Sequence, residues 1–243
     1  MAELSILIPT RNDAGTLALS VKELDRVVAQ ASMFAEVLIV DDQSEDGTID
    51  AAVELAHEFP NLHLRVFRRT LDRPSFGGLL RYALAHAEGR YCAVVSGDGT
   101  DPVDLLPEML RSLREGAMLA ICSRYIRPGD DRTVGRSYRL YQAMYRTAIR
   151  GVLGSRVPDS TYGFRAFNRV FVQSLGLSAT RFDVFPEMTF KVLLSGGSIA
   201  HLAGSPQPVG VGGAEKFKLP NEVLGYAAVL TRAALHRAGL RWF

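Results

Sequence analysis

The feature that most constrains this chain is a regular alternation of short apolar runs and amphipathic stretches over its first 123 residues. Leu4–Thr10 is a continuous apolar run that ends in Pro9 and polar residues, which is typical of a strand buried on both faces of a parallel sheet. Further strands are predicted at 37–41, 62–67, 91–96 and 117–123, and helices at 16–31, 49–59, 77–88 and after Pro102. This alternation predicts right-handed βαβ units, and therefore an α/β fold with a mostly parallel central sheet flanked by helices.

The rhythm changes after Arg124. The pattern there predicts a long helix over 136–152, a loop or strand over 161–166, a helix over 186–194, short strands over 198–202 and 207–211, and a final helix over 219–237. The spacing of the long helix places Leu140, Met144, Ala148 and Ile149 on one face. No linker-like segment interrupts the pattern, so we expect residues 1–243 to form a single domain.

Composition excludes several classes of protein. Hydrophobic residues make up 47% of the chain and charged residues 22%, which excludes a disordered or low-complexity chain. Cys92 and Cys122 are the only cysteines, which excludes a disulfide scaffold and a four-cysteine zinc site. We find neither a secretory signal nor an apolar run of the ~20 residues that a spanning helix needs, so we expect a cytoplasmic protein.

Charge is distributed unevenly along the chain. The formal net charge is only +2, but residues 124–169 contain ten arginines against Asp130, Asp131 and Asp159. That segment therefore carries a charge of +7 and the remainder −5. This division favours a protein that handles a metal and phosphates over one that coats nucleic acid, so we expect no nucleic-acid partner.

Polar clusters follow the predicted strands at 9–13, 41–48, 96–102 and Arg124. Ligands of open parallel sheets bind beyond the carboxyl ends of the strands, where these clusters lie. The adjacent Asp41 and Asp42 would repel each other unless cations or donors face them. Asp98 and Asp101 lie in a glycine-rich loop, and carboxylate oxygens suit a hard cation such as Mg²⁺ or Mn²⁺. Taken singly, each cluster is also consistent with an ordinary turn or helix cap.

In their order along the chain, these clusters resemble the motifs of the family-2 glycosyltransferases, and within them the dolichol- or polyprenyl-phosphate mannosyltransferase group. The most specific match is 40–48, which resembles the group's Val-Asp-Asp-x-Ser-x-Asp-Gly-Thr motif. The other matching segments are 4–13 (opening strand and Pro-x-x-Asn-Glu turn), 96–102 (Asp-x-Asp loop), 123–125 (Ser-Arg-Tyr), 159–167 (Asp-x-x-Ser-Gly-Phe-Arg-x-Phe) and 213–216 (Gly-x-Ser-Lys loop). The resemblance covers roughly residues 4–230.

The resemblance implies a nucleotide-diphospho-sugar transferase (glycosyltransferase A) fold and an inverting, metal-dependent transfer of a mannose- or glucose-type hexose from a GDP- or UDP-linked sugar to a polyprenyl phosphate. Residues 1–123 would form the nucleotide-sugar-binding half and residues 124–243 the acceptor-side half. The implied ligands of Mg²⁺ or Mn²⁺ are Asp98 and Thr100. The implied catalytic residues are Asp98, Arg124, Arg136 and Asp159. The implied substrate-binding residues are Pro9, Asp13, Asp41, Asp42, Gly97, Arg165, Glu187 and Lys216.

The arginine-rich second half favours a phosphate acceptor. A polyprenyl phosphate arrives ionised, so it needs cationic docking rather than a general base. The chain nevertheless departs from the group's motifs at Ser96 in place of Asp, at Asp101 in place of His and at Tyr162 in place of Ser. Two alternatives therefore stay open: the same donor chemistry with a soluble hydroxyl acceptor such as a natural product or carbohydrate, and a non-catalytic sugar-nucleotide-binding homologue.

The final helix, at 219–237, allows two interpretations. Basic and apolar residues alternate along its second half, so it can rest peripherally on the inner face of an anionic membrane. The same pattern is also that of an ordinary amphipathic helix packed on the domain.

Overall fold

The computed structural model describes residues 2–70, 73–129, 131, 135–206, 219–240 and 243. The strands are β1 (Leu4–Thr10), β2 (Ala35–Asp41), β3 (Leu64–Arg68), β4 (Tyr91–Val94), β5 (Leu119–Ser123), β6 (Arg165–Asn168) and β7 (Ile199–Ala203). The helices are α1 (Leu17–Gln30), α2 (Thr48–Glu58), α3 (Phe76–His86), α4 (Leu106–Arg114), α5 (Arg136–Leu153), α6 (Arg169–Ser174), α7 (Val184–Leu194) and α8 (Leu219–Arg237).

The seven strands form one sheet in the order β3-β2-β1-β4-β6-β5-β7. All neighbouring pairs are parallel except those of β6, which runs antiparallel to both β4 and β5. The mostly parallel α/β sheet predicted from the sequence is therefore confirmed. Strand β6, from the second half of the chain, lies between β4 and β5 of the first half.

Strand β1 shows how the sequence builds the sheet. Successive side chains of a strand point to opposite faces, and every residue of β1 except Pro9 is buried. Ile6 and Ile8 join the core cluster on the side of α1, whereas Leu7 joins the cluster on the side of α3. The register pairs Thr10 with Asp41, so β1 and β2 end at the same level and present their loops together.

Most predicted elements differ from the observed ones only at their ends, and the predicted bounds of β1 and α8 match the structure. The short helix α6 was not predicted. The segment 161–166 becomes strand only from Arg165, because the preceding residues form a hydrogen-bonded turn. The predicted strand at 207–211 lies outside the described residues.

The predicted inner face of α5 is wrong except at Ile149. Leu140 and Met144 are both 66% exposed, and the buried residues are Gln142, Tyr145, Ile149 and Leu153. The reason is aromatic packing: Tyr145 stacks on Tyr226 of α8 with a ring-centroid distance of 5.8 Å and donates to the carbonyl oxygen of Tyr226. Aromatic rings bury more area than the smaller apolar side chains, so they decide which face of the helix turns inward.

Two further expectations concern single residues and spans. Cys92 in β4 and Cys122 in β5 are buried and form no disulfide. Among the described residues, none of the helices combines the length and the apolar character needed to cross a bilayer.

Candidate active site

The loops that follow β1 and β2 are tied together by hydrogen bonds across the sheet edge. The backbone N–H of Asn12 donates to Ser44 Oγ at 2.8 Å, and the N–H of Glu45 donates to Asn12 Oδ1 at 3.0 Å. Asn12 adopts a positive φ of 57°, a conformation that asparagine tolerates better than most residues. The two loops therefore form one connected rim at the carboxyl ends of the strands.

Asp41 and Asp42 occupy this rim with different partners. Asp41 is buried and accepts from both the N–H and the hydroxyl of Ser44, so it holds the turn. Asp42 Oδ1 accepts from Nη1 of Arg69 at 2.6 Å, and its Oδ2 accepts from the N–H of Ser75 at 2.7 Å. Donors and the cation thus offset the repulsion expected between the two carboxylates. Arg69 is a component of the rim that the sequence analysis did not identify.

Asp13 lies against the loop that follows β4. Its Oδ2 accepts from the N–H of Arg11 at 2.9 Å, and its own N–H donates to Thr48 Oγ1 at 2.9 Å. A Cβ added at Gly97 would lie 3.2 Å from Thr10 Cγ2 and 3.4 Å from Asp13 Cγ, tighter than most real contacts. Glycine at position 97 therefore lets the third loop approach the rim closely. Pro9, at the end of β1, is half-buried opposite Val40.

The loop after β4 presents Asp98 at the edge of the site. Asp98 is half-buried, and its Oδ1 accepts from the N–H of Thr100 at 3.0 Å and from the Thr100 hydroxyl at 2.7 Å. The loop is anchored to α1, since the N–H of Gly99 donates to Ser20 Oγ and the Ser20 hydroxyl donates to the carbonyl of Ser96, both at 2.8 Å. Within the described part, Asp98 Oδ2 has no hydrogen bond and can take a ligand.

These residues fit a divalent cation of the Mg²⁺ type. No three His, Cys, Asp or Glu side chains converge on a metal position among the described residues. Mg²⁺ needs no such cage, because it is commonly held by one or two carboxylates together with substrate phosphates and water. Asp98 supplies one accessible carboxylate oxygen, and the Thr100 hydroxyl lies beside it.

Asp101 closes the same loop from inside the protein. It is buried, its Oδ2 accepts from the N–H of Ser96 at 2.7 Å, and its Oδ1 accepts from the Tyr162 hydroxyl at 2.7 Å. Burial raises the pKa of the Asp101 carboxyl to about 6, although both hydrogen bonds act in the opposite direction. Asp101 and Tyr162, two positions at which this chain departs from the group's motifs, are therefore hydrogen-bonded to each other.

Arg124 and Asp159 form a buried ion pair at the end of β5. Nε of Arg124 donates to Asp159 Oδ2 at 2.7 Å and Nη2 donates to Oδ1 at 3.0 Å. Asp159 Oδ1 also accepts from the N–H groups of Thr161 and Tyr162, both at 3.1 Å. Burial alone would raise the pKa of Asp159, but the charge and hydrogen bonds of Arg124 outweigh it and the pKa is lowered.

The Arg124 guanidinium is enclosed by aromatic rings. It lies 4.8 Å from the ring centroid of Tyr162 and 5.5 Å from that of Tyr138, both within cation–π range. Nη2 also donates to Thr161 Oγ1 at 3.1 Å. Nη1 makes no hydrogen bond within the described part of the chain, so Arg124 keeps one donor group for a ligand.

Arg165 and Glu187 do not present their charged groups at this site. Arg165 is fully buried and donates to the carbonyls of Ser160, Tyr162 and Phe185, and burial lowers its pKa to about 9. Glu187 is fully buried, accepts from the N–H of Ala179 at 2.8 Å and pairs with Lys191 at 3.0 Å. The geometry thus argues against the direct substrate contact expected for either residue, since their hydrogen-bonding groups are engaged inside the protein.

Two predicted residues remain, Arg136 and Lys216. Arg136 is the exposed first residue of α5 and contacts neither Arg124 nor Asp159 through any hydrogen bond of the described residues. Lys216 lies outside the described residues. The structure therefore brings together Pro9, Asp13, Asp41, Asp42, Gly97, Asp98 and Thr100 on the first-half loops, and Arg124 with Asp159 beside them.

The model of glycosyl transferase family 2 matches residues 5–176. A dolichol-phosphate mannosyltransferase of Pyrococcus furiosus is 25% identical over 195 residues, which is 78% of this chain and 53% of that protein. A polyprenol monophosphomannose synthase of Mycolicibacterium smegmatis is 30% identical over 177 residues, 72% of this chain and 64% of that protein. The chain thus spans between half and two thirds of these relatives.

A solved structure shares the fold. Glucosyl-3-phosphoglycerate synthase from Mycobacterium tuberculosis, crystallised with Mn²⁺, uridine diphosphate and phosphoglyceric acid, superimposes with a TM-score of 0.68 at 20% identity. The match covers 98% of this chain and 79% of that one. At this identity the similarity concerns the fold alone, and it confirms the glycosyltransferase A fold that the sequence motifs implied.

Proposed function

This chain belongs to glycosyl transferase family 2, and we propose that it transfers a hexose from a GDP- or UDP-linked sugar to a polyprenyl phosphate with inversion at the anomeric carbon. The observation that carries the proposal is the convergence of the loops after β1, β2 and β4, which bring Asp13, Asp42 and Asp98 to one edge of the sheet. Ligands of open α/β sheets bind at this edge.

In this proposal the first-half loops hold the donor. Asp13 and the Asp42–Arg69 pair would line the base and ribose, and Pro9 and Gly97 would shape the floor beneath them. Asp98, assisted by Thr100, would hold Mg²⁺ or Mn²⁺ at the diphosphate. When bound, such a cation offsets the negative charge that grows on the departing nucleoside diphosphate. The Mn²⁺ and uridine diphosphate in the solved neighbour support this assignment by analogy.

The acceptor side favours a group that is already ionised. Asp159 has Arg124 and backbone N–H groups on its oxygens, and Asp101 has Tyr162 and Ser96. Neither buried carboxylate is therefore placed to remove a proton from a hydroxyl. The free Nη1 of Arg124 would instead bind an acceptor phosphate oxygen, which suits the planar guanidinium. The names of the two relatives, a dolichol-phosphate and a polyprenol enzyme, support the same acceptor.

Titration calorimetry with GDP, UDP and their mannose and glucose derivatives, with and without Mn²⁺, tests the donor. We expect one nucleotide to bind more tightly when the metal is present, because the cation links Asp98 to the diphosphate. Binding without turnover on any acceptor would instead identify a non-catalytic sugar-nucleotide-binding homologue, and the absence of binding would overturn the donor assignment.

Partition of radiolabelled sugar tests the acceptor. With a polyprenyl phosphate present, we expect the label to enter the organic phase, and label that remains aqueous would favour a soluble hydroxyl acceptor. Arg124→Lys should raise the acceptor KM, because lysine cannot keep both Asp159 contacts and present a further donor. Arg111→Lys, at an exposed position of α4, is the matched control.

Peripheral membrane contact forms the last part of the proposal, and the outer face of α5 suits it better than α8. Leu140 and Met144 are exposed there, and α5 contains four arginines and no acid. Arg136 and Arg150 of α5 are exposed, whereas in α8 Arg237 donates to the carbonyl of Val152 and Arg232 to Ser178 Oγ. We expect co-sedimentation with anionic vesicles that Leu140→Glu abolishes, whereas Val170→Glu, also 64% exposed, should not.

A further inference from the structure

Tyr162 connects the two halves of the candidate site through its side chain. Its hydroxyl donates at 2.7 Å to Asp101, the residue that closes the loop carrying Asp98. The face of its ring meets the Arg124 guanidinium at 4.8 Å. One side chain thus contacts the proposed metal loop with its polar end and the proposed acceptor arginine with its ring.

The backbone of Tyr162 is fixed from both sides. Its N–H donates to Asp159 Oδ1 at 3.1 Å, and its carbonyl accepts from Nη2 of Arg165, with the nearby Ser160 carbonyl held by the same nitrogen. Arg165 is fully buried, so these bonds form away from bulk water, where they are stronger. A residue held this firmly can transmit position from one loop to another.

The loop that depends on this contact is short and closed. Asp101 Oδ2 accepts from the N–H of Ser96, so the carboxylate ties the start of the loop to its end, with Asp98 and Thr100 between them. The Tyr162 hydroxyl is the only side-chain donor to Asp101 among the described residues. Without it, the buried carboxylate keeps a single hydrogen bond, and a buried charge with too few partners is costly.

We propose that Tyr162 is a positioning residue: through Asp101 it sets the position of Asp98 for the divalent cation, and through its ring it keeps Arg124 in register with that cation. The proposal rests on the donor and metal assignment of the proposed function. Residues that orient a metal ligand from behind commonly change metal affinity by about 10- to 100-fold when altered. Because Tyr162 acts through Asp101, we expect an effect near the lower end.

The test compares Tyr162→Phe with Tyr125→Phe. Phenylalanine keeps the ring over Arg124 and removes only the hydroxyl. The Tyr125 ring also lies near Arg124, at 5.6 Å, but its hydroxyl is buried without a hydrogen-bond partner, so its removal is the matched control. Calorimetry measures the affinity for Mn²⁺ in the presence of saturating UDP or GDP, and separately the affinity for the same nucleotide without metal.

We expect Tyr162→Phe to weaken Mn²⁺ binding about tenfold and to leave metal-free nucleotide affinity unchanged, with Tyr125→Phe like the wild type. Metal-free nucleotide affinity also reports that the variant is folded. Asp101→Asn should weaken Mn²⁺ binding too, and the double variant should be less impaired than the two single losses combined, because both act through one contact.

The outcomes separate this inference from the proposed function. Wild-type Mn²⁺ affinity in Tyr162→Phe overturns the inference alone, and so does an equal loss in Tyr125→Phe. If the wild type itself shows no metal-dependent nucleotide binding, the metal assignment falls and the role of Tyr162 falls with it.

Discussion

Asp98, in the first half of the candidate site, and Asp159, in the second half, have their charges stabilised in opposite ways. In the first half, Asp41 and Asp98 accept mainly from neighbouring N–H and hydroxyl groups, and Asp98 stays partly exposed. In the second half, Asp159 is completely buried and bound to the cation of Arg124. The first arrangement leaves carboxylate capacity for a ligand, whereas the second uses charge to fix the framework.

This difference implies different costs of mutation. The charge of Asp98 can be removed with little effect on folding, because this side chain is half-buried and water reaches it. A charge removed from a buried pair leaves its partner desolvated and unpaired, which costs about 3–5 kcal/mol. Substitutions of Asp98 should therefore act on binding and rate, whereas those that break the buried Arg124–Asp159 or Asp42–Arg69 pair should also reduce stability.

The largest effect is expected for Asp98→Asn. We predict a loss of about a thousandfold in turnover, because a coordinated cation contributes several kcal/mol of transition-state stabilisation. The free energy of unfolding should stay close to the wild type, since Asp98 is half-buried. Asp104→Asn, at a 71% exposed position, is the control and should keep the wild-type rate. A wild-type rate in Asp98→Asn would contradict the proposal that this loop binds the metal.

Asp159→Asn should show the contrast most directly. We predict a loss of about 3 kcal/mol in the free energy of unfolding, measured by urea denaturation, because Arg124 is left buried without its counter-charge. Asp131→Asn breaks the Asp131–Arg139 pair, which is 29% and 38% exposed, and should change stability by less than about 0.5 kcal/mol. Similar losses in both variants would contradict the assignment of the stability cost to burial of the Arg124–Asp159 pair.

Asp42→Asn should weaken nucleotide binding and, because the Asp42–Arg69 pair is buried, should reduce stability as well. We predict an affinity for GDP or UDP that is about tenfold weaker. The hydrogen bond from the charged Arg69 orients the Asp42 carboxylate, and a bond of this kind contributes on the order of 1.5 kcal/mol. Calorimetry measures this affinity. Glu45→Gln is the control, because Glu45 is an exposed residue of the same loop. Unchanged affinity in Asp42→Asn would place the residue outside the donor site.

The smallest effect concerns pH. Burial raises the pKa of Asp101 to about 6 in the folded protein, whereas an aspartate of the unfolded chain has a pKa of about 4. Between about pH 4 and about pH 6, the folded protein therefore binds a proton at Asp101 that the unfolded chain does not. Because the folded state binds more protons in this range, the free energy of unfolding increases as the pH falls. From about pH 7 to about pH 5, the wild type should gain about 1 kcal/mol of stability relative to Asp101→Asn. A stability difference independent of pH would refute this.

The sequence predicted the fold and the first-half loops because their information is local. Apolar runs locate the strands, and the order of polar residues after each strand locates the rim, as at Asp41 and Asp42. It could not predict which long-range partners would meet. Arg69 lies 27 residues from Asp42, and Tyr162 lies 61 residues from Asp101. No sequence pattern around either residue of a pair predicts its partner.

Burial was the second property that the sequence did not reveal. Arg165 and Glu187 stand at positions that the family resemblance assigns to substrate, and a charged residue in a motif favours that interpretation. Their side chains instead satisfy carbonyls and N–H groups inside the protein. Whether a charge faces a ligand or the core depends on how α7 packs under β6, which is decided by the tertiary structure.

The antiparallel strand β6 has a consequence for how the chain is made. It is synthesised after β4 and β5, yet it pairs with both of them and separates them in the sheet. Until residues 165–168 emerge, β4 and β5 each expose an unpaired edge of apolar strand, which invites pairing with other chains. A fragment that ends at Ser123 would therefore aggregate rather than fold, and the rim it carries would form only once the second half is in place.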